Sequence, residues 1–168
     1  MLDPQKNLMY FNTFLNLSRA IYMNLEKNWD KVAQVCDLSS AQQHCLWIVF
    51  LKDEISLSKL AQIALWNKST TSALVTRLEK RGLLEKSREK DSHEIFIRLT
   101  NQGRDLILKS VFTKECEEFI SIFKEMSEEE IISLLKVFHK VYNMIASQTN
   151  VEFERFIVEY SKNVIDKF

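Results

Sequence analysis

The chain has 168 residues, 46% of them apolar and 27% charged, with no net charge, which allows one domain with a sizeable core. No stretch approaches the roughly 18 consecutive apolar residues of a membrane span, and a start without a charged-then-apolar leader points to the cytoplasm. Gly82 and Gly103 are the only glycines and there is one proline, which favours long helices and excludes a glycine-rich phosphate loop, a dinucleotide fingerprint or a G-x-S-x-G elbow.

In chain order, residues 5–35 predict one long helix with an apolar stripe of Leu8, Phe11, Leu15, Tyr22, Leu25, Trp29 and Val32. Ser39 or Ser40 caps a mostly buried helix over Ala41–Leu51, carrying Leu46, Trp47, Val49 and Phe50. Ile55 predicts a short strand. Ser56 caps a short helix to Ala64, and Leu65-Trp66-Asn67 links it to the next, a helix-turn-helix whose turn lacks the frequent glycine. The following helix spans Lys68–Arg81. Asn67 caps it, Thr71, Leu74, Val75 and Leu78 form its apolar face, and Gly82 stops it after a basic last turn. Leu83–Ser87 and Ile95–Leu99 predict two strands around a polar tip, which makes the unit a winged helix.

Three more helices follow. Asn101–Lys124 predicts a long one, with Leu106, Ile107, Val111, Phe119, Ile122 and Phe123 as apolar points. Ser127 and Glu130 form a capping box for a second, running to about Ser147, with Ile131, Leu134, Leu135, Phe138, Val141, Tyr142 and Ile145 expected to be buried. Asn150 caps a third over Val151–Lys167. The fold class is therefore mainly α: a single domain over 1–168, with a winged helix-turn-helix core at about 38–100, a small β-wing, and long flanking helices at about 5–35 and 101–168. The flanking helices carry more apolar face than the small core can cover, so they are expected to dimerise about a two-fold axis, the alternative being a monomer in which they pack together.

The polar face of helix 68–81 carries Ser69, Ser72, Ala73, Thr76, Arg77 and Lys80, with no carboxylate among them. Hydroxyls for phosphates and bases, a methyl for thymine and arginine for guanine are what a DNA groove selects. Residues 55–104 hold ten Lys and Arg against five Asp and Glu, a local +5 balanced by −5 elsewhere. A basic module inside a neutral protein fits phosphate contact. The expected DNA-binding set is Asn67, Lys68, Ser69, Thr70, Ser72, Ala73, Thr76, Arg77 and Lys80 on or before the helix, with Arg88, Lys90 and His93 in the wing. Two such helices one DNA turn apart, roughly 34 Å, would read a palindrome.

The segment Leu74-Val75-Thr76-Arg77-Leu78-Glu79-Lys80-Arg81-Gly82-Leu83-Leu84, followed by a charged loop and Ile97-Arg98-Leu99-Thr100-Asn101-Gln102-Gly103, resembles the MarR (multiple antibiotic resistance regulator) family. Leu38–Phe50, with His44-Cys45-Leu46-Trp47-Ile48, resembles its Hpr-type subgroup, repressors of protease production. The resemblance implies a homodimeric transcriptional repressor bound to double-stranded DNA. It also implies that a small-molecule effector, often aromatic, can bind between dimer helices and winged domain. The family's wing tip carries Asp-x-Arg, the arginine entering the minor groove. Here it reads Asp91-Ser92-His93, so His93, Arg88 or Lys90 would take that role.

The alternative is a winged helix that docks protein and has lost DNA binding. An enzyme is not expected: no paired carboxylates with Glu-x-x-His spacing and no nucleophile with its base are found. No metal or cofactor is expected either, since His44 and His139 lack ligand partners. Cys36, Cys45 and Cys116 are odd in number, far apart and outside any C-x-x-C pattern, so they read as free thiols.

Overall fold

The computed structural model describes residues 3–88, 94–146 and 150–160. Helix α1 spans Pro4–Val35, with Asp3 as cap and proline in its first turn. Only Val32 and Ala33 of this helix are buried, so most of it projects beyond the core. It ends at Asp37, whose φ of +53° is left-handed. The N–H of Leu38 and of Asp37 close on the carbonyls of Ala33 and Gln34, each at 3.0 Å, the paired bonds of a Schellman stop.

Helix α2, Ser40–Lys52, opens with a capping box between Ser39 and Gln42. Its Cys45, Leu46, Ile48, Val49, Phe50 and Leu51 are all buried. A helix apolar on nearly every side belongs in the centre, and α2 is that centre. Strand β1, Glu54–Ser56, leads into helix α3, Leu57–Ile63, which the Ser56 hydroxyl caps through the Lys59 N–H. Helix α4 covers Lys68–Lys80. Strands β2, Leu84–Arg88, and β3, Ile95–Leu99, complete an antiparallel sheet ordered β1-β3-β2, with Ile55 opposite Ile97 and Lys86 opposite Ile97 on the other edge.

The Leu99-Thr100-Asn101-Gln102-Gly103 segment has a mechanical explanation. Thr100 Oγ1 donates to the Gly82 carbonyl at 2.6 Å and accepts from the Gly103 N–H at 3.0 Å, capping helix α5, Asn101–Val111. Gly103 lies so close to the backbone that a Cβ there would sit 2.1 Å from the Leu83 carbonyl oxygen. One threonine and two glycines thus lock the end of α4 to the start of α5.

Three expectations change beyond this point. The predicted helix over 101–124 is broken into α5, then α6 over Lys114–Ile120, then a 3-10 turn over Ser121–Phe123. The break is at Thr113, whose hydroxyl donates back to the Ser110 carbonyl at 2.9 Å and accepts from the Cys116 N–H at 3.2 Å. The side chain offers the backbone an alternative to a continuous helix. Helix α7, Glu128–Ile145, starts at the predicted Ser127–Glu130 box, yet none of its residues is buried within the chain. Leu135, Phe138 and Ile145 are more than half exposed, since the described residues cover the stripe only in part, Tyr142 meeting Phe153 of the next helix with ring centroids 5.2 Å apart. The last helix is α8, Val151–Arg155, capped by Asn150 as predicted and continued by a π-helical turn, Phe156–Tyr160. The remainder of the helix expected to Lys167 falls outside the described residues.

Candidate nucleic-acid interface

Helix α4 is fixed at both ends and on one side. At its start, Asn67 Oδ1 accepts from the Thr70 N–H and from Ser69 Oγ, both at 2.7 Å. Thr71 is buried and its hydroxyl donates to the Asn67 carbonyl at 3.0 Å. Leu74, Val75 and Leu78 are buried against the core. At its end, Gly82 takes φ +71° and the N–H groups of Leu83 and Gly82 close on Leu78 and Glu79 at 3.0 and 2.9 Å. Arg81, just past the last helical residue, turns away from the polar face. It donates to the Asp37 carbonyl at 2.9 Å and reaches the Asp37 carboxylate at 3.3 Å, tying α4 to the corner between α1 and α2.

The turn before α4 does without glycine at a cost. Leu65 has φ +58° and Trp66 N–H closes on the Ala61 carbonyl at 2.9 Å. A leucine holds the left-handed position that favours glycine.

What remains outward is the predicted face. Lys68, Ser69, Thr70, Ser72, Ala73, Arg77 and Lys80 are exposed, as is the cap Asn67. Among the described residues, none of Lys68, Arg77 and Lys80 has an ion-pair partner. Thr76 is half-buried, and its oxygen accepts from Lys86 Nζ at 3.0 Å. Arg88 is exposed at the end of β2. Lys90 and His93, the other two wing candidates, lie outside the described residues. The structure thus brings the helix candidates onto one surface and adds Lys86, which the sequence reading passed over. A signal for it existed: in an alternating strand Lys86 shares a side with Leu84, which is buried.

A cleft of about 480 Å³ opens behind the turn that leads into α4. Tyr22, Leu25 and Trp29 of α1, His44 and Trp47 of α2, Trp66 of the turn, Phe119 of α6 and Phe156 line it. The Trp29 and Phe119 rings meet edge-on at 5.7 Å and those of His44 and Trp66 at 5.6 Å. Burial lowers the His44 pKa, so its imidazole is neutral at pH 7. All three cysteines are buried, and burial pushes the Cys45 thiol up to about 12, which leaves it unreactive. Among the described residues no cluster of His, Cys, Asp and Glu could hold a metal, and no helix is long and apolar enough to cross a membrane.

Residues 38–93 match the model of the MarR family. The transcriptional regulator Hpr of Halalkalibacterium halodurans is 32% identical over 108 residues, covering 64% of this chain and 56% of the relative. The DNA-binding transcriptional repressor ScoC of Bacillus subtilis is 29% identical over 118 residues, 70% of this chain and 56% of the relative. The chain therefore spans little more than half the length of the curated relatives it matches, all of them regulators rather than enzymes. An organohalide-sensing transcriptional regulator in its ligand-free form superposes with a TM-score of 0.69 at 20% identity, covering 91% of both chains. A MarR variant from E. coli complexed with operator DNA superposes at 0.65 and 19% identity, covering 78% of this chain and 96% of that one. The architecture is a mainly helical fold with a small three-stranded antiparallel sheet, shared with winged-helix regulators. Family match, relatives and fold point the same way: residues 38–93 match the MarR family, and the rest of the chain shares the fold of its regulators.

Proposed function

We propose that this chain is a homodimeric DNA-binding repressor of transcription that reads a palindromic operator in the cytoplasm. The observation that carries the reading is the exposed face of α4. It presents Ser69, Thr70, Ser72, Ala73, Arg77 and the cations Lys68 and Lys80, with those cations unpaired among the described residues. Cations held in the fold but not neutralised by it are available to phosphate and guanine. Arg88 extends the contact toward the wing, with Lys90 and His93 as the minor-groove candidates. Dimerisation is supported by the exposed apolar stripe of α7 together with Leu8, Phe11 and Leu15 of α1.

The test is a titration of operator duplex selected from a random pool. Arg77→Ala should weaken the selected sequence by about tenfold or more and relax its preference. Lys68→Ala should weaken all sequences evenly and lower the salt slope by about one. Binding that is negligible and indifferent to salt would instead favour a protein-docking module.

A second reading concerns control. The aromatic cleft joins the proposed dimer helices to Trp66, the middle residue of the turn into α4. A flat aromatic effector seated there would bias how α4 is presented. Two structural neighbours of the same fold were solved with 2,4-dichlorophenol and with 4-hydroxyphenylacetate. Adding such phenols to the duplex titration should shift the midpoint if the cleft is an effector site.

A further inference from the structure

Thr76 occupies the middle of the α4 polar face, with Ser72 and Ala73 one turn before it, Arg77 beside it and Lys80 one turn after. Its oxygen is not free to choose a role. Lys86 Nζ, reaching across from β2, lies 3.0 Å from Thr76 Oγ1 and 2.6 Å from Glu79 Oε2. An ammonium carries three protons and no lone pair, so Lys86 donates and Thr76 accepts. The pair is well held: the Lys86 side chain is 24% exposed and that of Glu79 38%. Its aliphatic stem follows Leu84 on the inner side of β2, which packs beneath the helix.

We propose that Lys86 is a positioning residue for DNA reading, fixing the Thr76 hydroxyl as a hydrogen-bond donor so that this position of α4 selects an acceptor-bearing base edge. The inference rests on the DNA-reading role of α4 and specifies its chemistry. With one lone pair held by a cation, the hydroxyl is polarised to donate outward. A donor approaching the same oxygen meets the field of the ammonium. In the major groove, guanine, adenine and thymine present acceptors, whereas the cytosine edge presents its amino donor. The contacted position therefore disfavours cytosine. Lys86 has a second effect at the same place, because it neutralises Glu79, the one carboxylate of α4.

The experiment selects binding sites from a random duplex pool with wild type, Thr76→Val, Lys86→Met and Lys86→Arg, then measures affinity for each single-base variant of the selected site. Thr76→Val should lose about five- to tenfold of discrimination at one base pair, the span of a single hydrogen bond. Lys86→Met should lose it at that same base pair, and the double variant should lose no more than either alone. Lys86→Arg, which still donates to both partners, should restore the preference. Thermal melts accompany each variant. Should Lys86→Met not fold, Lys86→Leu, which carries neither charge nor proton donor, takes its place with the same expectation. A Lys86→Met or Lys86→Leu protein that keeps the full preference at the base pair Thr76→Val relaxes, or relaxes a different base pair, overturns the inference and leaves the DNA-reading role intact. A wild-type protein that recovers no sequence from the pool overturns both.

Discussion

In α4 the stripe Thr71, Leu74, Val75 and Leu78 is buried within the chain, while in α7 the stripe containing Leu135, Phe138 and Ile145 faces outward. The two helices obey the same amphipathic rule and meet different partners. Around α4, a cap, a glycine stop, an arginine clamp and a strand fix one rigid presentation. Along α7 and the first half of α1 there is apolar area that none of the described residues covers. One region is finished by its own sequence. The other leaves apolar surface open among the described residues, which the proposed dimer would cover.

The contrast can be broken at its strongest point. Leu135→Glu with Phe138→Glu should leave α2–α5 folded but place charges in the proposed dimer contact. Light scattering should then report a monomer, and operator affinity should fall by about a hundredfold or more, since the second half-site no longer binds as part of one particle. A dimer that persists would move the interface elsewhere. Next in size is Gly103→Ala, in the finished region. A methyl 2.1 Å from the Leu83 oxygen forces backbone to move, and the urea midpoint should drop by an amount equivalent to about 2–3 kcal/mol without any change in oligomeric state at low denaturant. The smallest effect is of opposite sign. Leu65→Gly removes the left-handed strain at the helix-turn-helix corner, offset by the larger freedom glycine has when unfolded. The melting temperature should rise slightly, by the equivalent of less than about 1 kcal/mol. A clear fall would mean that the Leu65 side chain holds contacts its 59% exposure does not convey.

Much of the helix-turn-helix and its sheet was legible because its signals are local. Asn67, the apolar spacing of Thr71 to Leu78, and Gly82 bracket α4 within one residue of its observed end. Alternation marked β3, and the lone Ile55 marked β1. The break between α5 and α6 was not legible by periodicity, because Val111, Phe119 and Phe123 keep a helical spacing across it. Thr113, a cap in mid-run, was the sign. Burial along α7 was misplaced for another reason: an apolar stripe says that a face will be covered, and not by whom. Among the site residues, exposure and sign of charge were readable for Lys68, Arg77 and Lys80. The pairing of Lys86 with Thr76 and Glu79 was not, since it depends on how β2 lies across the helix.

The carboxyl end of α3 is closed from far away. Asn150 Nδ2 donates to the Gln62 carbonyl at 2.8 Å across 88 positions of sequence, and Phe156 packs against the same core. During synthesis, then, every residue of the helix-turn-helix is made before the side chain that adds this second bond to the Gln62 carbonyl. A chain truncated after α7 would keep the local Leu65 N–H contact to the same carbonyl, at 3.3 Å, and lose the second one that Asn150 brings to the end of α3.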